Sequence, residues 1–413
     1  MFIYLYFFWK KMEKGLNKFF EEFLEKDSLF AQKKALQSNY LPESISHRDT
    51  QIEQIAQILA PVLKEDKPSN LFIYGKTGTG KTLTIKHVSK NLDMIAQKRS
   101  VPLRICYVNC KLKKITDTEY RLIAHLAREL GMEIPATGLP TDEVYKIFFA
   151  ALEKENLHYV LVLDEIDWLI KKTGDEILYN LTRINSELEQ SQITLVGISN
   201  DLMFTDTLDP RVKSSLSEEE ILFPPYNAHQ IQDILKQRAS VAFKSGKITP
   251  GVLEKCAAYA ARDHGDARRA LELIRVAGEL AERQNQSKLL IDHLDLAEDK
   301  IEKDRMIEAV SSQPKQVQAT LYAILNIPPS KNNVIFTGEV YNFYTQLCHK
   351  AGLRPLTQRR VSDVIGELDM LGIINAKVIS KGRYGRTREI SIPHTEQLAS
   401  ELKGLLEEGL AFT

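Results

Sequence analysis

The chain has 413 residues, more than one ordinary domain of roughly 100–200 residues holds, so two to four compact regions are expected. Lys plus Arg and Asp plus Glu come to 55 each, which excludes a chain-wide polyelectrolyte and confines any affinity for nucleic acid to a local patch. The four cysteines, Cys106, Cys110, Cys256 and Cys348, make no CxxC pair and no Cys/His array at zinc-finger spacing. They read as buried thiols of a reducing cytoplasm, not as a disulfide framework or a metal site.

The first nine residues, "MFIYLYFFW", are almost wholly apolar but far short of the roughly 20 needed to span a bilayer as a helix. Lys10 and Lys11 follow that run instead of preceding it, unlike a secretory signal, so no membrane association is expected and Met12 reads as the working start. Residues 13 to 63 are polar and helix-rich. Pro42 and Ser44 break them at "NYLPESISHRDTQI", before an apolar-periodic helix from about Asp49 to Leu63. The "HRD" in that break matches the opening of a protein-kinase catalytic loop, but Gln54 stands where Asn is required and no DFG follows, so it is set aside.

From residue 70 come the short apolar runs "NLFIY", "RICYVNC", "HYVLVLDE", "ITLVGISN" and "EEEILF", separated by helical stretches. Apolar strands alternating with helices predict a parallel sheet covered on both faces, ending near Tyr226. Residues 229 to about 303 carry only amphipathic helices such as "HQIQDILKQRASVAF" and "ARRALELIRVAGELAER", a separate helical domain. From Arg305 a third region follows, with three helical segments and then a hairpin.

The strand "NLFIYG" runs into "GKTGTGKT", Gly75 to Thr82, which satisfies GxxxxGK[ST] between a strand and a helix, the context of a P-loop. Gly75, Gly78 and Gly80 let the N–H groups around Thr79 turn inward on a triphosphate. Lys81 is expected to bridge the β- and γ-phosphates, and Thr82 to ligate Mg²⁺. "YVLVLDE" ends in Asp164 and Glu165 at the carboxyl edge of a parallel strand, where ligands bind. Asp164 is expected to hold Mg²⁺ through water and Glu165 to orient the attacking water. Asn200, closing "TLVGISN", either touches the γ-phosphate or that water, or simply ends a strand. In "TDTLDPRVKSSL", Arg211 follows a Pro in an expected loop, as an arginine finger for a neighbouring subunit's nucleotide or as solvated surface. "GDARRAL" sets Arg268 and Arg269 in a helix's first turn against its dipole, which points to an anionic partner. The acid run Glu218 to Glu220 and the cluster Lys111, Lys113 and Lys114 read as solvated faces.

The P-loop, the Asp-Glu pair, the polar strand end, the loop arginine, the helical domain and "GDAR" together resemble the AAA+ ATPases. With "LPESISHRDTQI", "DPRVKSSL", "ILFPPY" and "GDARRAL", the chain from about residue 13 resembles the archaeal replication initiators related to both the origin recognition complex subunit and the cell-division-control helicase loader. The resemblance implies an ATPase base over 13–228, with a helical initiator-specific insert near 115–145 that meets the DNA backbone. It further implies a helical lid over 229–303 and a winged-helix DNA-binding domain over 304–413. ATP or ADP is the implied nucleotide, with Tyr226 and Arg238 lining its pocket and Arg268 as the second sensor. The implied partners are double-stranded origin DNA, the replicative minichromosome maintenance helicase and other initiator copies. The implied protein is cytoplasmic and nucleoid-associated, with weak ATP hydrolysis as a switch. Eukaryotic members carry Arg where "KSSL" has Ser214 or Ser215.

The third region also fits a winged helix on its own residues. "TGEVYNFYTQLCHKAG" and "TQRRVSDVIGELDMLG" are helices joined by a short turn with Gly352 and Pro355, as in helix-turn-helix motifs. The second opens with Thr357 as N-cap, then Gln358, Arg359 and Arg360, residue types that read base edges from a helix N-terminus. "SKGRYGRTREI" gathers Lys381, Arg383, Tyr384, Arg386 and Arg388 around Gly382 and Gly385, a basic hairpin tip suited to phosphates or a minor groove. Between Arg354 and Arg388 there are eight Lys or Arg against three Asp or Glu. A solvated hairpin or a protein-docking module is the plainer reading of the tip. A nucleotide-gated transcription regulator or a regulatory paralogue of an initiator is the alternative for the whole chain.

Overall fold

A computed structural model of the protein describes residue 21 and residues 27–111, 116–135, 137–216, 218–262, 265–328, 334–380, 386–393 and 395–410, apart from the side chains at 205, 215, 218 and 386. The chain divides into two compact units, residues 1–294 and 295–413.

The first unit runs α1 (Asp49–Leu59), β1 (Asn70–Tyr74), α2 (Lys81–Arg99), β2 (Leu103–Asn109), α3 (Glu119–Glu129), α4 (Thr141–Glu155), β3 (His158–Asp164), α5 (Ile166–Thr173), α6 (Glu176–Arg183), β4 (Gln192–Ser199), α7 (Pro210–Leu216) and β5 (Glu218–Leu222). The helices α8 (Ala228–Ala242), α9 (Val252–Arg262) and α10 (Ala267–Arg283) follow. The strands form one sheet in the order β2-β3-β4-β1-β5, and every pairing is parallel. β1 and β3 lie inside and are buried at every residue, which is why they read as unbroken apolar runs. β5 is an edge, and its glutamates keep that edge from pairing further.

Alternation along β1 sends its side chains to two cores. Phe72 and Tyr74 join Leu161, Leu163 and Phe148 of α4 on one face. Leu71 and Ile73 join Val160, Val162, Val196 and Ile198 on the other, under Ile55 of α1 and Ile85 of α2. Between β2 and β3, where a helical insert near 115–145 is expected, lie α3 and α4, and α4 runs on to Glu155; Thr118 caps α3 by accepting from the Arg121 N–H at 3.3 Å.

The helix α8 starts in a capping box between Asn227 and Gln230. The leading segment clasps this helical layer. Phe30 bridges Phe243 in antiparallel fashion with ring centroids 4.7 Å apart, and Asp27 receives Lys244 at 2.5 Å and Lys247 at 2.9 Å. Those two ammonium groups hold the Asp27 carboxyl down to about 2.

The division between units falls near the start of α11 (Asp292–Ser311). The second unit continues with α12 (Lys315–Asn326), β6 (Ile335–Phe336), α13 (Thr337–Lys350), α14 (Gln358–Met370), β7 (Asn375–Ser380), β8 (Arg386–Ser391) and α15 (Glu396–Leu410). The strands make an antiparallel sheet in the order β6-β8-β7. Its core joins Val317, Leu321 and Ile324 of α12 to Tyr344, Val361, Ile365, Leu368 and Ile390. The expected helix-turn-helix is α13 and α14, and the expected hairpin is β7 and β8; the tip, with Lys381, Arg383 and Tyr384, lies outside the described residues. Sequence reading did not name β6, too short for any periodicity, or α15, which closes the core with Leu402, Leu406 and Leu410. Among the described residues no helix is long and apolar enough to cross a membrane.

One position tests the packing of the sheet. A Cβ on Gly197 of β4 would lie 2.6 Å from Phe72 Cε1 and 3.2 Å from Ile166 Cδ1, both fully buried side chains. Gly197→Ala is expected to cost about 1–3 kcal/mol, as overpacking does, read as a lower denaturant midpoint. An unchanged midpoint would show that Phe72 has room to move.

Candidate functional site

Three strand ends meet above the sheet. The loop Gly75 to Gly80 leaves β1, and Gly75, Gly78 and Gly80 all take positive φ values (154°, 71° and 90°). At Gly80 the turn also needs the missing side chain, because a Cβ there would sit 2.8 Å from Tyr226 Oη. Lys81 opens α2 and is buried; its ammonium donates to Gly75 O at 2.6 Å, Lys76 O at 2.8 Å and Asn200 Oδ1 at 2.9 Å. Thr82 Oγ1 donates to Asp164 Oδ2 at 2.8 Å, and Tyr107 Oη of β2 donates to the same oxygen. Burial and that carboxylate push the Tyr107 phenol up, so it stays a donor.

Glu165 follows in the left-handed region, φ 57°, a conformation uncommon for a non-glycine residue and concentrated at functional positions. Its carboxylate lies 3.8 Å from the Lys111 ammonium, a residue read from sequence as solvated. The Asp164 N-terminal neighbours are apolar, so the two acids project where the sheet ends.

The helical layer reaches the loop through Asp266. Its Oδ1 caps α10 by accepting from the N–H groups of Arg268 at 2.8 Å and Arg269 at 3.3 Å, while Thr77 Oγ1 donates to its Oδ2 at 3.4 Å. Ala267 N–H donates to Gly78 O at 3.3 Å. This corrects the dipole argument made for "GDARRAL": Asp266 supplies negative charge at that helix end, so the two arginines do not by themselves demand an anion.

Of the residues expected at a nucleotide, Gly78, Gly80, Thr82, Tyr226, Arg238 and Arg268 line one cavity, together with the apolar Leu41, Ile45, Leu83 and Leu271. Gly75 and Lys81 are not among its lining residues. Thr79 turns its hydroxyl into the loop, donating to Lys76 O at 2.9 Å. Arg238 is committed largely to the leading segment, donating to Ala35 O at 3.4 Å and Tyr40 O at 3.2 Å. Arg211 is elsewhere. Its segment is not the expected loop but the first turn of α7, with Pro210 in the position that tolerates proline and Asp209 accepting from Arg211 N–H at 2.8 Å. The Arg211 side chain is 86% exposed and paired with Asp209.

Two residues of this region escaped the sequence. Tyr107 was hidden as one polar-tipped residue in an apolar strand. Arg48, dismissed with "HRD", is buried beside the loop: Nε donates to Thr79 O at 2.9 Å and Nη2 to Pro224 O at 2.6 Å, and its guanidinium lies 3.9 Å from the Tyr226 ring centroid. The only signal was a cation immediately before an apolar-periodic helix.

In the second unit a groove is lined by Thr337, Gln358, Arg359, Val378, Thr387 and Arg388. Arg388 of β8 lies over α14, where a Cβ on Gly366 would come within 3.1 Å of its Nη2. Thr357 caps α14 through the Arg360 N–H at 3.4 Å. The Arg360 side chain pairs with Glu367 at 3.2 Å and Asp363 at 3.9 Å of its own helix, so it is less available to a base edge than expected. Arg386 is described only in its backbone.

A hydroxyl and one carboxylate 2.8 Å apart are hard oxygen donors that leave the other positions of an octahedral cation for phosphate and water, so Thr82 and Asp164 fit Mg²⁺. Among the described residues no cluster of three or more His, Cys, Asp or Glu is suited to a metal, as an all-protein cage would require.

Sheet order, loop, acid pair and capped lid helix define a P-loop ATPase of the AAA+ class with a winged helix behind it in the chain. Residues 64–202 match the family described as "AAA domain", residues 232–299 "Cdc6 AAA+ ATPase-type lid domain", and residues 308–401 "CDC6, C terminal winged helix domain". The ORC1-type DNA replication protein of Pyrococcus abyssi is 52% identical over 381 residues, 91% of this chain and 90% of that one. ORC1-type DNA replication protein 1 of Archaeoglobus fulgidus is 51% identical over 390 residues, 94% and 93% of the two chains. The structure of the Aeropyrum pernix ORC1 protein in complex with DNA is similar with a TM-score of 0.79 at 42% identity, covering 93% of this chain and 98% of that one. The chain belongs to the family of ORC1-type DNA replication proteins, and its ATPase domain implies ATP or ADP as ligand.

Burial, then the neighbouring Arg268, hold the Lys81 ammonium down to about 8, against the pull of Asp164, Asp167 and Glu165. A phosphate ligand favours the charged form and raises that value, so binding takes up a proton once the pH exceeds about 8. ADP affinity is therefore expected to fall about tenfold between pH 8 and 9.5 by linkage, while Lys81→Ala, weaker throughout, gives a flat profile over that range. Calorimetric titration at the two pH values reads it, and a flat wild-type profile would sink it.

Proposed function

We propose that the chain is an ATP-dependent replication initiator that binds origin duplex DNA through its second unit, helps recruit or load the replicative minichromosome maintenance helicase, and uses slow ATP hydrolysis as a switch at the nucleoid. In this proposal residues 13–228 are the ATPase base, 229–303 the lid and 304–413 the DNA-binding domain. The N–H groups around Gly78, Thr79 and Gly80 hold the phosphates with Lys81, and Thr82 and Asp164 hold Mg²⁺. Bound Mg²⁺ supplies neutralisation of charge on the phosphate oxygens. Glu165 orients the attacking water beside Asn200. Tyr226 and Arg238 flank the nucleotide, Arg268 answers the terminal phosphate from the lid, and Arg211, exposed and outside the cavity, serves a neighbouring copy.

The observation that carries DNA binding is the groove where Gln358 and Arg359, at the start of α14, face Arg388 of β8. It has the residue types that read guanine and adenine edges from a helix N-terminus, with a strand-borne cation alongside. The 42% identical Aeropyrum pernix protein, described in complex with DNA, supports the same reading.

Fluorescence anisotropy of a labelled origin-derived duplex and a scrambled duplex across a salt series tests this. Arg359→Ala is expected to lose about 1–3 kcal/mol of preference for origin DNA, and Arg388→Ala to weaken both duplexes alike with a salt slope shallower by up to ~0.9. Equal wild-type binding to both duplexes, unchanged in either variant, would make the winged helix a protein-docking module and defeat the proposal. Helicase recruitment predicts that the purified helicase is retained on the immobilised chain; no retention with or without ATP would remove that part alone.

A further inference from the structure

We propose that Arg48 is a positioning residue of the nucleotide site, a buried cation that fixes the P-loop and Tyr226 against each other and so slows nucleotide release. This rests on the nucleotide site proposed for the chain.

Arg48 is 2% exposed, and its contacts are unusual for a buried charge. Nε donates to Thr79 O at 2.9 Å, inside the P-loop, and Nη2 donates to Pro224 O at 2.6 Å, in the segment that leaves β5. Nη1 returns to His47 O at 3.3 Å. The guanidinium faces the Tyr226 ring at 3.9 Å and reaches Phe223 at 5.4 Å. Among the described residues no carboxylate neutralises it; carbonyls and aromatic faces do. A buried cation without an acid is costly, so a merely structural position would be better filled by an apolar side chain.

The arrangement uses what only arginine has. Its planar fork serves two carbonyls of two segments at once while its face lies on a ring, whereas a lysine ammonium is a point charge that can do one of these well. The consequence reaches the ligand cavity indirectly. Tyr226 and Gly80 both line it, and the Tyr226 hydroxyl stands so close over Gly80 that a Cβ there would approach within 2.8 Å. One guanidinium thus holds both the Thr79 carbonyl and the Tyr226 ring, and it opposes movement of either away from the other.

The test is release of fluorescently labelled ADP from the full chain, chased with unlabelled ADP. Wild type, Arg48→Lys, Tyr226→Leu and the double variant are compared, with ligand-free melting temperatures alongside. Arg48→Lys is expected to speed release at least about tenfold while melting within a few degrees of wild type, and to add little in the Tyr226→Leu background, because both act through one contact. Arg48→Gln replaces it should the lysine variant not fold. Release at the wild-type rate would overturn the inference, as would the same acceleration in both backgrounds, which marks a general effect on the fold. A wild-type chain that binds no ADP would instead overturn the nucleotide site itself, and the inference with it.

Discussion

The bond from Thr82 to Asp164 joins parts of the chain that the sheet holds two strands apart, and the site exists because the sheet order permits it. β1 and β3 are not neighbours; β4 lies between them. The chain leaves β1, turns through the P-loop into α2 and crosses away, so the start of α2 overhangs the carboxyl end of β4. Register makes the three ends level: Tyr74 pairs with Ser199, and Asp164 with Ile198. Asn200, one residue beyond, then meets the Lys81 ammonium at 2.9 Å. Because β1 and β3 are buried on both faces, a slip of one residue would exchange the two cores completely, setting every side chain against the wrong partners, so the packing of the two cores holds the register.

That rigid frame holds charges in tension. Lys81 is buried among oxygens, yet Arg268 of the lid helix lies near enough to lower its proton affinity. Asp266, the N-cap two residues before Arg268, accepts from Thr77, and the Ala267 N–H donates to Gly78 O, so the same helix end is drawn onto the P-loop. Attraction through Asp266 and repulsion between Lys81 and Arg268 therefore act across one small gap. An anion there relieves the repulsion and leaves the attraction, so phosphate binding and the close approach of the α10 start to the P-loop favour each other by simple electrostatics.

How much of this was legible follows from what each signal is made of. Buried parallel strands announce themselves as apolar runs, and the P-loop needs glycines at fixed spacing, so β1, β3 and β4 and the placement of Lys81, Thr82, Asp164 and Glu165 at the strand ends could be read directly. The sequence left open what depends on contacts between distant segments. Arg48 meets Thr79 and Pro224, 31 and 176 residues away, and no local pattern carries that information. Asp266 was in view within "GDARRAL", but its capping of the Arg268 and Arg269 N–H groups removed the dipole argument drawn from those arginines. At "DPRV" the proline suggested a loop because proline breaks helices, although the first turn is where a helix accepts it.

The same distinction governs the basic stretch from Arg354 to Arg388, which lies in a second unit of balanced charge. A count of cations overstates what is available to an anionic partner, since Arg360 answers Asp363 and Glu367 on its own helix. Arg388 differs: it crosses from the hairpin to lie on α14, and Gly366 is the residue that gives it room. Helix and hairpin are thus locked by the contact that presents the cation, and Arg359 shares the groove beside it. A guanidinium held by packing loses less freedom on binding than a freely moving one, so Arg388, lying on α14, is better suited to set orientation on a duplex than an exposed cation such as Arg359 beside it.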